Sequence, residues 1–173
     1  MTNPISIRKL SNDEEVSLLD IAFSKRYPRY TSNDYFFNCL EENLEGKRVT
    51  LLAYYEDTLA GCCHLLFESD YSYFKRENIP EINDLNVFQE FRRKGIASVM
   101  FDELERIASK KSKSIGLGVG LYKDYGNAQI MYNKRGYVMD GRGIVYKNIE
   151  VKPGHQVNVD DDLLMYLIKE LSK

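Results

Sequence analysis

Apolar and polar residues alternate over Ile5–Leu10, which predicts a first strand, and the spacing then changes. Val16, Leu18, Leu19, Ala22 and Phe23 recur at three- and four-residue intervals, as in a helix with one buried face. Ser11 and Glu14 form a capping-box pattern ahead of it, and Pro28 stops it. A second helix is predicted over Asn33–Leu44, ended by Gly46. Val49–Tyr55 and Thr58–Phe67 are rich in β-formers and meet at Glu56-Asp57, the pattern of a hairpin. Glu68–Pro80 reads as a polar loop that carries Tyr71, Tyr73 and Phe74.

The next stretch organises the chain. Glu81–Phe88 has the alternation of a strand, Phe91–Gly95 is a basic loop closed by glycine, and a helical stripe starts at Ile96. That stripe runs through Ala97, Met100, Phe101, Leu104, Ile107 and Ala108. Ser114–Tyr122 follows as a strand with Gly116, Gly118 and Gly120 on one face, which lets another group come close. Gly126–Arg135 reads as a short helix stopped by Gly136. Tyr137–Met139 and Gly143–Asn148 are strand-like, parted by the turn Asp140-Gly141, and Glu150–Asp161 is a polar loop before a last strand at Leu163–Lys169. The sum is a mixed α/β (α+β) order, too irregular for a doubly wound sheet.

Composition adds bounds. A chain of 173 residues, 43% hydrophobic and 29% charged, fits one soluble domain spanning 1–173. A net charge of −2 speaks against general nucleic-acid binding, although Arg92–Lys113 holds seven basic and three acidic residues, a local +4. A nucleic-acid module built on that patch would bind with steep salt dependence. No run approaches 18 apolar residues and the first ten residues lack a signal-peptide core, so a cytoplasmic protein without membrane contact is expected. Three cysteines, two of them adjacent, make neither a disulfide framework nor a metal site.

A strand passing through a glycine loop into a helix start makes an anion site. Unpaired N–H groups and the helix dipole converge there, and Arg92, Arg93 and Lys94 add cations, so a phosphorylated ligand is the expected occupant. The rival reading of Arg92–Lys94 is a solvated charge run. Arg92-Arg93-Lys94-Gly95-Ile96-Ala97 also resembles the Q/R-x-x-G-x-G/A signature of the GCN5-related N-acetyltransferase (GNAT) superfamily. Ala128-x-x-x-Tyr132-x-Lys134-x-Gly136-Tyr137 is similar to the ending of that family's motif, with Tyr125 where an asparagine is common and Asn127 out of register.

The resemblance implies a GNAT fold, a mixed central sheet of about seven strands flanked by about four helices. It implies acetyl-CoA as co-substrate, no metal, and direct transfer to an amine. The donor would be gripped by Leu85, Val87, Arg92, Arg93, Lys94, Gly95, Ile96 and Ala97, with Asn127 as a further contact and the Val87 N–H facing the oxyanion. Tyr132 is the expected general acid, against the rival that it packs a helix. Glu81 is the expected base, against the rivals of an exposed strand-start carboxylate and a water chain. Strand alternation places Glu81, Asn83, Leu85 and Val87 on one face and Asp84 on the other, unless a bulge intervenes. His64 reads as a packed core residue and His155 as a surface one. Expected partners are a small-molecule amine or a peptide or protein amino group, with a homodimer left open. The acidic Glu81, Asp84 and Asp70 point to a cationic acceptor. The alternative function is a non-catalytic acyl-CoA-binding sensor or docking domain.

Overall fold

The computed structural model describes residues 4–28 and 30–171. Strands β1 (Ile5–Lys9), β2 (Arg48–Tyr55), β3 (Thr58–Leu66), β4 (Glu81–Val87), β5 (Ser114–Gly120), β6 (Val138–Tyr146), β7 (Ile149–Glu150) and β8 (Leu163–Glu170) form one sheet. Their order is β1-β2-β3-β4-β5-β8-β6-β7. β4 pairs in parallel with β5 through Glu81 and Ile82, and the other described pairs are antiparallel. Helices α1 (Asp13–Arg26), α2 (Tyr35–Leu44), α3 (Ser72–Glu77), α4 (Ile96–Ala108) and α5 (Gly126–Lys134) complete a mixed α/β fold. Among the described residues, strands number eight and helices five, one more of each than the resemblance implies.

Two compact units divide the chain. The first comprises Met1–Leu66 and Asp84–Leu104. Its core gathers Leu19, Phe23, Phe36, Leu52 and Phe88 at 8% exposure or less. The Phe23 ring touches those of Tyr27, Tyr30, Phe36 and Phe88 at centroid distances of 5.0–5.6 Å. The α1 stripe is buried as its spacing requires, except Leu18, which is 39% exposed on the flank of the helix. The cap also shifts by one residue. Asn12 is the N-cap, its side chain accepting from the Glu15 N–H at 3.0 Å, and Glu15 reaches back to the Ser11 N–H at 2.7 Å. Ser11 and Glu14 are therefore not the capping pair, because the first helical turn begins at Asp13.

The second unit comprises Phe67–Asn83 and Glu105–Lys173. Its aromatic core stacks Tyr71 on Tyr166 at 3.8 Å and 10°, with Phe74 edge-on to both. The β5 glycines are explained by packing. A Cβ at Gly116 would lie closer than 3.0 Å to the Phe74 ring, and one at Gly120 closer than 3.0 Å to the Tyr125 ring. Three expectations change here. The Glu68–Pro80 loop contains α3, nucleated by the burial of Phe74 at 0% exposure. The two strand pieces around Asp140-Gly141 are one strand, β6, whose pairing with β8 shifts register between Met139 and Ile144. After it, Lys147 and Asn148, at φ 50° and 62°, turn the chain into β7 as a two-residue hairpin.

Candidate active site

The loop from β4 to α4 is built as the sequence pattern requires, and its strain lies at two positions. Arg93 and Gly95 take φ 61° and 83°, which lifts the chain into the first turn of α4 at Ile96. The first helical bond runs from the Val99 N–H to the Gly95 carbonyl at 3.2 Å. Arg92, Arg93, Lys94 and Gly95 are exposed, Ala97 is half-buried and Ile96 is buried as the anchor of the helix. The cations are not equally mobile. The Arg92 Nε donates to the Val87 carbonyl at 3.1 Å, and the Lys94 ammonium lies 4.4 Å from the Tyr55 ring centroid. Arg92 is thus drawn onto the strand residue expected to face the thioester.

β4 carries two carboxylates in unlike settings. Glu81 is 5% exposed and accepts a hydrogen bond from the Ser69 hydroxyl. The Ser69 oxygen in turn accepts the Tyr71 N–H at 3.0 Å. An exposed strand-start carboxylate is therefore not what Glu81 is. Asp84 adopts φ 48°, a left-handed conformation inside a strand, and its side chain is exposed. Such a residue offsets the two-residue alternation, so a face counted through Asp84 does not carry from Glu81 to Val87. Leu85 and Val87 are half-buried.

Asp84 ends a chain of polar contacts. Its Oδ2 accepts from the Tyr35 hydroxyl at 3.0 Å, which lies 3.3 Å from His64 Nε2; His64 Nδ1 lies 2.8 Å from the Thr50 hydroxyl. His64 and Thr50 are 1% and 0% exposed. Burial, assisted by the Arg48 charge, lowers the His64 pKa from 6.5 to about 3, so the ring is neutral. Burial and then the Asp84 charge push the Tyr35 phenol up. His64 is a packed core residue as expected, and His155 is exposed. Cys62 and Cys63 are buried thiols outside any disulfide, and burial drives both upward, away from nucleophilic use.

Tyr132 is buried on α5, its ring 6.3 Å from that of Tyr137. Its carbonyl accepts the Tyr137 N–H at 3.0 Å, which closes the helix at Gly136. Asn127 is exposed near the start of α5, whereas the preceding Tyr125 packs on Gly120 and donates to Asp161 at 2.8 Å.

The family model for the GNAT acetyltransferase family matches residues 12–137. This chain belongs to that family. No curated protein sequence matches it. Solved structures share the GNAT fold at low identity. Naa50 of Arabidopsis thaliana, in complex with the bisubstrate analogue CoA-Ac-MVNAL, is 19% identical with a TM-score of 0.64, covering 96% of this chain and 99% of its own. An aminoglycoside 6'-N-acetyltransferase complexed with coenzyme A is 17% identical, with a TM-score of 0.67 and coverages of 97% and 98%. A spermidine N-acetyltransferase chimera that includes Vibrio cholerae sequence is 13% identical, with a TM-score of 0.67 and coverages of 97% and 96%.

Among the described residues of this GNAT chain, no group of three or more His, Cys, Asp or Glu could hold a metal ion. Nor is any helix long and apolar enough to cross a membrane. Sequence reasoning missed the partners of its own candidates. Ser69 lies twelve residues before Glu81, and Tyr35 lies far before Asp84, on α2. One signal was present: a histidine inside an apolar strand needs polar partners if it is buried.

Proposed function

We propose that this GNAT protein is an acetyl-CoA-dependent N-acetyltransferase that moves the acetyl group directly to a primary amine of a cationic acceptor. The supporting observation is the left-handed, cationic Arg93–Gly95 turn at the start of α4, inside the stretch matched by the family model. Backbone N–H groups of Arg93–Ala97 would face the donor's pyrophosphate, with Arg92, Arg93 and Lys94 adding charge. Leu85 and Val87 would line the pantetheine, and Asn127 would add a contact from α5. Both units are read as parts of one acyltransferase domain.

In the reaction the ammonium first loses a proton, taken by Glu81 through a water because the carboxylate is buried. The amine nitrogen then attacks the thioester carbon, and the Val87 N–H steadies the oxyanion. The new C–N bond stays, the C–S bond breaks, and Tyr132 gives its phenolic proton to the thiolate. The nitrogen's surplus proton, shed as the amide forms, passes through water to restore the phenol. The acidic Glu81, Asp84 and Asp70 favour a cationic acceptor over a neutral one. The Tyr73 ring adds nothing to this, since the Arg142 guanidinium already lies 3.7 Å from its centroid. The named acceptors of the structural neighbours, a peptide, an aminoglycoside and spermidine, are amines of very different size.

Thermal unfolding with CoA tests the donor site. CoA at about 1 mM should raise the melting temperature, because a ligand that binds only the folded state stabilises it. Gly95→Val should abolish that shift. Open space surrounds the Gly95 Cβ position, so the fold survives while a β-branched residue at φ 83° distorts the turn. A wild-type protein whose melting CoA leaves unmoved would refute the reading.

A further inference from the structure

The polar chain in the first unit has a direction, and the direction follows from counting hydrogens. A carboxylate only accepts, so the Tyr35 phenol, 3.0 Å from Asp84 Oδ2, gives its one proton to Asp84. The phenol oxygen is then an acceptor, and the atom 3.3 Å away, His64 Nε2, must carry the hydrogen between them. A neutral imidazole has one N–H, so Nδ1 is bare and accepts from the Thr50 hydroxyl at 2.8 Å. The reverse order would set phenol lone pairs against the carboxylate. Every hydrogen in the series points toward Asp84.

The terminus of this series is placed for a ligand. Asp84 is turned out of the alternation of β4 by its φ of 48°, and the Asn86 amide, donating to the Asp84 carbonyl at 3.2 Å, steadies the bend. The carboxylate is exposed, while Thr50 and His64 behind it are buried. A left-handed non-glycine residue and a four-group series that is buried at Thr50 and His64 together are a costly way to hold a surface carboxylate that does nothing.

We propose that Thr50, His64 and Tyr35 form a one-directional hydrogen-bond relay that fixes the Asp84 carboxylate as the docking point of the acceptor's ammonium group. The proposal rests on the acetyltransferase reading for its acceptor but not for its relay. Tyr35, His64 and Thr50 are positioning residues. Asp84 decides specificity, since a carboxylate held with one oxygen engaged by Tyr35 turns the other to a cation. The neutral His64 ring adds no positive charge of its own behind that carboxylate.

Two measurements test it. The chain has two histidines, so His155→Gln leaves His64 alone in a long-range nitrogen–proton NMR spectrum. The expected result is the Nε2–H tautomer with bare Nδ1, perturbed by Tyr35→Phe. An Nδ1–H tautomer overturns the relay. For the docking role, spermidine, kanamycin and an unblocked pentapeptide serve as probes. On any that is acetylated, Asp84→Asn should raise acceptor KM about tenfold to a hundredfold, the scale of one charge-assisted hydrogen bond, with kcat little changed. Tyr35→Phe should raise KM in the same sense. The CoA-induced melting shift should persist in both variants. An unchanged KM in Asp84→Asn, or CoA binding without acetylation of any probe, overturns the docking role. If CoA binds to none of these proteins, the donor assignment has failed and the docking role falls with it, while the tautomer still decides the relay.

Discussion

Glu81 and Asp84 lie three residues apart on β4 and belong to different compact units. Glu81 is buried and held by the Ser69 hydroxyl. Asp84 is exposed and held by a phenol whose own partners are buried. The same chemical group is thus supported once by being enclosed and once by what stands behind it. The lesson is energetic. An enclosed carboxylate is tied to the stability of its unit, because loss of a buried partner leaves a polar group unsatisfied. An exposed one can be changed at small cost to the fold, so its effects should show in function.

The most severe way to break the comparison is to move the strand itself. A Cβ at Gly61 of β3 would lie closer than 3.0 Å to the Asn86 carbonyl of β4, a backbone atom with no rotamer to yield. Gly61→Ala should cost about 3 kcal/mol or more in chemical denaturation, the upper range for overpacking. Gly116→Ala meets the buried Phe74 ring first and a backbone atom, the Leu167 carbonyl, only at 3.0 Å, so it should cost less. Equal losses for the two would deny that the β3–β4 approach is set by backbone.

Next in size is the rate effect at Glu81. Glu81→Gln keeps a hydrogen-bond acceptor for Ser69 but removes the base, so turnover at neutral pH should fall about a hundredfold, the low end for general-base catalysis. The loss should shrink at high pH, where the amine is already unprotonated. A pH–rate profile identical to wild type would assign the proton to a water relay instead. Tyr132→Phe should also lower turnover and spare CoA binding; an unchanged rate would leave Tyr132 as a packing residue.

His64 gives a smaller, purely thermodynamic signature. Its folded pKa of about 3 lies below its ordinary 6.5, so the unfolded chain binds the proton more readily. Stability from this group is complete above pH 6.5 and declines as pH falls toward 3. Between pH 7 and pH 5 the loss should be about 2 kcal/mol from this residue. His64→Phe removes the titrating group and should flatten that limb, whatever it does to absolute stability. A wild-type curve as flat as the variant's would mean that the ring is not enclosed.

The smallest effect expected is on stability at Asp84. Asp84→Asn should change unfolding free energy by no more than about 0.5 kcal/mol, as for exposed positions generally. A change as large as that of Glu81→Ala, about 2–3 kcal/mol from an unsatisfied buried hydroxyl and lost packing, would erase the distinction between the two carboxylates.

What the residues alone determined were the features that need only near neighbours in the chain. The α4 stripe from Ile96 to Ala108, the β2–β3 hairpin at Glu56-Asp57 and the cationic glycine turn before α4 follow from periodicity and local backbone freedom. The family motif lies in that same local stretch, which is why it was legible. Tertiary structure decided the rest. α3 exists because Phe74 is covered by Gly116 and Tyr166, residues more than forty positions away. Glu105 collects Arg135, Tyr137 and Lys169 into one ion cluster that no sequence spacing announces. β6 is continuous because β8 pairs with it on both sides of the Asp140–Gly143 irregularity. Asp84 leaves the strand's alternation through a left-handed backbone that its residue type permits but does not require. Local free energies select helices, turns and caps; burial, which depends on distant partners, selects which carboxylate is enclosed and which is presented.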